Sequence, residues 1–354
     1  MRSLCIGDKI AQLPIIQGGM GVGVSRSSLA GAVAAEGGIG VISSAQIGYD
    51  EVGFEKDPAA CNLKALCKHI TKAKEISAGK GLIGVNVMVA LKHYREHVKE
   101  SARAGADVII CGAGLPVDLP ELVEGYDTKI APIISSARAC SVILKMWDHK
   151  YNRTADFLVV EGPMAGGHLG FSMEQLADLD KCVKTQDDEI LSIISVKRQY
   201  EEKYHCQIPV IVAGGIYDHS DIEHALALGA DGVQIASRFV ATYECDASDA
   251  YKQAYLTAKE EDIRIIKSPV GLPGRALYNS FIKSTMEDRL PVNKCYNCLE
   301  KCNPAQIPYC ITQALVDAVK GNVDNGLIFC GANIGKINKL MSVHDLMEEL
   351  QGDF

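Results

Sequence analysis

Two groups of residues in this 354-residue chain have the types and spacing to do chemistry. The first is the stretch 159–171, VVEGPMAGGHLGF. There an apolar run ends in an acid, Glu161, and a loop with Gly162, Gly166, Gly167 and Gly170 carries His168. Glycine lets backbone approach a flat ligand with no Cβ in the way. A neutral imidazole, of reference pKa about 6.5, can take a proton from an acidic C–H near neutral pH. The plain alternative is a loop histidine satisfied by its neighbours. The second group is Cys295-x2-Cys298-x3-Cys302-x7-Cys310. A turn between the first two brings their sulfurs together, so four thiolates can converge on one soft centre. An iron–sulfur cluster, structural zinc and unliganded buried thiols are the readings open to them. Cys330 lies in an apolar stretch and reads either as a substitute ligand or as a small buried residue.

Four further segments look built for a ligand. PIIQGGMG places Gln17, Gly18, Gly19 and Met20 at the end of an apolar run, with a plain tight turn as the alternative. Asn86, in GVNVM, offers donor and acceptor to a heterocycle edge, or caps a helix. AGGI holds Gly214 and Gly215, and QIASRF holds Gln234, Ser237 and Arg238. Arg275 follows a Pro-Gly turn and can hold an anion by its planar fork, or sit in a structural ion pair.

These residues need elements that bring them together. Short Val- and Ile-rich runs alternate with longer helical patterns, which predicts βα units and a parallel sheet. The expected strands are 15–17, 40–43, 83–87, 108–111, 131–135, 157–161, 210–213 and 232–236. The expected helices are 27–35, 63–77, 93–104, 119–124, 137–149, 190–204, 220–228 and 249–259. Eight such units predict a (β/α)8 TIM-type barrel over residues 1–268, in which the loops after strands seven and eight supply phosphate sites. An open doubly wound sheet is the competing architecture, and it lacks an early GxGxxG here. Inserts at 48–62 and 172–189 fall after strands two and six and are candidate lids. Residues 269–354 read as a C-terminal extension with the cysteine cluster, packing on the barrel; GLIFCGANIGKI is a segment expected to return to it.

A formal net charge of −8 excludes a general nucleic-acid binder. No segment approaches the roughly 20 apolar residues of a spanning helix, and the first residues lack a signal-type apolar core, so no membrane attachment and a cytoplasmic location are expected. Thirteen cysteines in such a chain argue for reduced thiols or metal ligands rather than a disulfide framework.

The segments QGGMGVGVSRSSLAGAVAAEGGIGVIS, GVNVMV, EGPMAGGHLGF, IPVIVAGGI and DGVQIASRF together resemble the nitronate monooxygenase (2-nitropropane dioxygenase) family. They are similar too to the flavin-dependent enoyl-acyl-carrier-protein reductases of the same superfamily. The likeness spans roughly residues 10–285, and EGPMAGGHLG is its most specific part. It implies a barrel holding FMN non-covalently. Gly18, Gly19 and Met20 would lie beside the ring, Asn86 at its edge, Gly166 and Gly167 near the ring or ribityl chain, and Gly214, Gly215 and Ser237 around the phosphate; Gln17, Glu161 and Gln234 complete the candidate contacts. His168 matches the family's active-site histidine. The implied reaction is oxidation of a nitronate, or of a nitroalkane deprotonated by His168, with O2. The alternative is reduction of an enoyl thioester with NAD(P)H as electron donor, or a related anaerobic reductase. Either way the partner is a small-molecule substrate, and a homodimer is one assembly open to the chain. A non-catalytic flavin or metal-binding scaffold is a third reading, opposed by the intact Glu161 and His168. The cysteine cluster departs from the family pattern. Its C-x2-C-x3-C core is similar to that of iron–sulfur flavoenzymes related to old yellow enzyme, though the fourth spacing is shorter here, and this likeness makes a [4Fe-4S] cluster the leading reading for the four cysteines.

Overall fold

Eight apolar runs pair side by side as parallel strands in the computed structural model, which describes residues 1–352. They are β1 (Ile15–Gln17), β2 (Ile39–Ser43), β3 (Leu82–Met88), β4 (Val108–Gly112), β5 (Lys129–Ile134), β6 (Leu158–Glu161), β7 (Val210–Ala213) and β8 (Gly232–Ile235). Pairing of Gln234 with Ile16 joins β8 to β1 and closes the barrel. Helices follow the strands, so the expected (β/α)8 barrel is the observed one and the open sheet is excluded.

Each strand divides its side chains between two cores, because successive residues point to opposite faces. Ile16, Ile39, Val41, Val108, Ile110, Ala131, Val159 and Ile211 fill the interior. Ile42, Ile83, Val85, Val87, Ile109, Leu158 and Val160 face outward into the helix layer. An N-terminal hairpin, Leu4–Ile6 with Lys9–Ala11, plugs the amino end of the barrel with Leu4, Ile6 and Ala11. Sequence patterning showed no sign of this plug, since its strands are three residues each.

Neither insert contributes a residue to the cavity at the barrel mouth. The first runs through turns to Asp57, whose side chain caps the helix Pro58–Ser77 by accepting from Ala60 N at 3.0 Å. Its Phe54 ring stacks on Tyr296 at 5.7 Å, and Glu55 pairs with Lys294, so it packs against the cysteine segment. The second folds into the short helices Met173–Ala177 and Leu179–Lys184, leading into Gln186–Tyr204. That last helix starts four residues before the expected 190 because Asp187, Asp188 and Glu189 suit a helix first turn.

A second sheet was not anticipated. Gly167–His168 pairs antiparallel with Pro273–Leu277, which pairs with Ile263–Lys267. The loop after β6 is thereby held by chain on both sides of residue 268. No helix among the described residues is long and apolar enough to cross a membrane.

Gly40 marks where the helix layer sits closest. A Cβ there would lie 1.8 Å from Ala30 O in the helix Ser27–Ala35. Gly40→Ala should therefore force helix and strand apart and cost about 3 kcal/mol, read as a lower urea midpoint; an unchanged midpoint would show that the contact relaxes freely.

Candidate active site

The period of two that fills the barrel also decides what faces its mouth. One layer above Val159, Ile110 and Ile211, the inward positions are Glu161, Gly112 and Ala213, joined by Gly18, Ser43, Met88 and Gln234, and all of them line one cavity of about 240 Å³. The same cavity collects Gly19, Met20, Asn86, Gly166, Gly167, His168, Gly214, Gly215 and Ser237. Every expected ligand contact except Gln17 is therefore in one place. Gln17 is fully buried, and its amide is committed to β2: its Nε2 donates to Val41 O at 3.2 Å and its Oε1 accepts from Val41 N at 3.1 Å. It ties strand to strand and does not line the cavity. Asn86 lies within β3 rather than at a helix start, which removes the capping alternative; its Nδ2 donates to Ile110 O at 3.3 Å.

The loops after β7 and β8 form one end of the cavity. Gly214 and Gly215 have φ of 87° and 95°, a left-handed turn that carries their amides along the cavity wall. Ser237 Oγ accepts from Gly331 N at 2.9 Å, and Asn333 Nδ2 donates to Gly215 O at 2.7 Å. The segment 329–333 thus returns to the barrel and covers it, with Phe329, Cys330, Gly331, Ala332 and Asn333 in the wall. Sequence reading anticipated the return but assigned these residues no contact; the turn-like Gly-Ala-Asn after an apolar run was the available signal. Cys330 is buried there and stands apart from the other four candidate ligands. Arg238 is not free to meet an anion. Its guanidinium donates to Glu349 at 2.8 Å and to Tyr217 O at 2.8 Å, and it lies over the Tyr217 ring.

Glu161 and His168 both line the cavity. Burial pushes Glu161 up to about 8, against the pull of Arg275, so it is mostly protonated at neutral pH. Arg275 itself is buried, donates to Ala165 O, and so holds the glycine loop from behind instead of binding an anion in the cavity. Burial lowers His168 to about 4, which keeps the imidazole neutral. Its Nε2 lies 2.7 Å from Ser268 Oγ, and its ring meets Phe329 edge-on at 4.9 Å.

Cys295, Cys298, Cys302 and Cys310 line a separate small pocket outside this cavity. Among the described residues, no three His, Cys, Asp or Glu side chains are already gathered around a metal position.

A profile of nitronate monooxygenases matches residues 5–353. The chain belongs to the nitronate monooxygenase family. It is 24% identical over 358 aligned residues to the "Probable nitronate monooxygenase" of Bacillus subtilis (strain 168), covering 95% of this chain and 94% of that one. FabK from Thermotoga maritima superimposes with a TM-score of 0.73 at 25% identity, over 97% of this chain and 92% of FabK. A nitroalkane oxidase from Streptomyces ansochromogenes shares the fold at a TM-score of 0.70 and 19% identity, over 96% and 95% of the two chains. Family membership makes this protein a flavin-dependent oxidoreductase.

The raised Glu161 has a consequence for stability. In the unfolded chain it ionises near 4.5, whereas in the folded protein it holds its proton to about 8. Stability is therefore lost as pH rises from the lower value through the upper one. Between roughly pH 6 and pH 8, wild type should lose about 2 kcal/mol relative to Glu161→Gln by denaturant titration. Parallel pH profiles for the two proteins would place Glu161 in contact with bulk water.

Proposed function

We propose that the barrel mouth holds FMN and that the protein oxidises alkyl nitronates, with O2 as electron acceptor. The observation that carries the reading is a neutral His168 facing a glycine-lined slot with its Nε2 already engaged. The residues fit the flavin. Any Cβ on Gly214 would come within 3.0 Å of Ala165, and one on Gly215 within 3.1 Å of Met164, so both positions keep their amides open to a phosphate group. Gly18, Gly19 and Met20 would flank one face of the ring, Gly166 and Gly167 the ring or the ribityl chain, with Asn86, Gln234 and protonated Glu161 as hydrogen-bonding groups at its edges. FMN, when bound, supplies the redox chemistry and passes electrons to O2.

The chain's own part lies in His168. In this reading the Ser268 hydroxyl, 2.7 Å from His168 Nε2, donates to it while accepting from Val270 N at 3.3 Å. That arrangement leaves Nδ1 protonated. His168 then presents an N–H that orients and stabilises an anionic oxygen, which suits a nitronate, in place of the base expected for a neutral nitroalkane. Low solvent access strengthens such a bond.

His168→Ala should lower kcat/KM for a nitronate about 10²-fold while flavin stays bound. Ser268→Ala, by freeing Nε2, should raise the rate on the neutral nitroalkane relative to its nitronate. Wild type working equally well on both forms would sink the donor role.

One observation favours a second reading. Val24, Tyr251, Tyr255, Leu315 and Ile337 give the cavity an apolar end that suits an acyl chain, and FabK is among the similar structures. In that case NAD(P)H donates the electrons and an enoyl thioester accepts them. Anaerobic loss of the visible flavin absorbance on adding NADH or NADPH is the expected sign, and no loss with either leaves the nitronate reading alone.

A further inference from the structure

The flavin cavity leaves the cysteine segment without a role. Cys295, Cys298, Cys302 and Cys310 come from four points of a stretch with little regular structure, between the helices Ser280–Glu287 and Ile311–Val319, and all four line one pocket of about 30 Å³. All are free thiols.

The backbone around them favours ligation by sulfur. Asn297 takes a left-handed φ of 50°, a conformation asparagine tolerates, and so folds the chain back between Cys295 and Cys298. Its amide then donates to Cys295 Sγ at 3.4 Å. Cys310 is the residue just before the helix Ile311–Val319, whose Thr312 and Gln313 amides bond to its sulfur. Donors aimed at sulfur stabilise thiolate over thiol.

We propose that Cys295, Cys298, Cys302 and Cys310 form a four-thiolate site for a soft metal centre, an iron–sulfur cluster or a zinc ion. Protonated thiols do not attract one another; a metal displaces their protons and draws the sulfurs together. Each sulfur–metal bond forms with loss of one thiol proton to solvent, and no electron moves on binding. Spacing of this kind serves both centres.

Position distinguishes their uses. Lys92 N donates to Cys298 O and Glu300 N to Ala90 O, each at 3.0 Å, which stitches the segment to the chain just beyond β3, whose Met88 lines the flavin cavity. Leu315, on the helix that Cys310 begins, lines that cavity too, and its five-residue offset is about 7.5 Å of helix. Cys302 shares a surface cleft with Ser268, the partner of His168. A cluster in this place would be tied to two elements that wall the cavity; a zinc ion would brace the segment.

The test is elemental analysis of the full-length protein purified anaerobically, with acid-labile sulfide and flavin measured in parallel. Equal iron and sulfide, or one zinc per chain without sulfide, is expected, the first marking a cluster and the second a zinc ion. Cys298→Ser and Cys310→Ser should each lose most of the metal while keeping their flavin, which reports that the barrel is folded. Cys206→Ser, at an exposed cysteine elsewhere, should keep both. Metal-free wild type whose four thiols alkylate freely, or metal that persists in both variants of the segment, overturns the site. Flavin content is a separate readout, so failure of the FMN reading is seen independently.

Discussion

In a closed barrel, successive side chains of a strand must point alternately into the barrel and out to the helices. Val159 points in, Val160 points out, and Glu161 therefore points in again, at the level where the interior opens. The same count brings Gly112, Ala213 and Gln234 to that level from three other strands. A one-residue slip in β6 would send Glu161 into the apolar helix layer. The active-site floor is thus a continuation of the hydrophobic core by other residue types.

What stands on that floor is held from outside the barrel. The loop after β6 has too few side chains to fix itself, so it borrows a strand partner from Pro273–Leu277 and a buried guanidinium from Arg275. The segment 329–333 borrows in turn, from Ser237 and through Asn333. These bonds lie where water is scarce and leaving any partner unmade is costly. The same scarcity of water keeps Glu161 protonated and His168 neutral. A carboxyl that would be ionised in water and an imidazole that would be partly so are thereby held as neutral hydrogen-bonding groups in the cavity wall.

Much of this was legible beforehand because it depends on local pattern. The βα alternation carried the strand count, and the glycine runs at 18–19, 166–167 and 214–215 marked backbone that lines the cavity. Gln17 was misread because its neighbours in the motif face the cavity while it is drawn to Val41 of the next strand. Arg238, in a segment that looks built for a ligand, is likewise drawn elsewhere, since Glu349, 111 residues away, claims its charge. Neither partner is visible from local spacing.

The amino-acid sequence by itself determined the barrel, the glycine-lined walls and the presence of a histidine among them, because these follow from periodicity and from the absence of side chains. Only the tertiary structure decided which atoms are free to act. It assigned Ser268 to the Nε2 of His168, Arg275 to the back of the glycine loop and 329–333 to the cover, through contacts between residues far apart in the chain. It set the protonation of Glu161 by burial, a property that exists only once the barrel has closed around it.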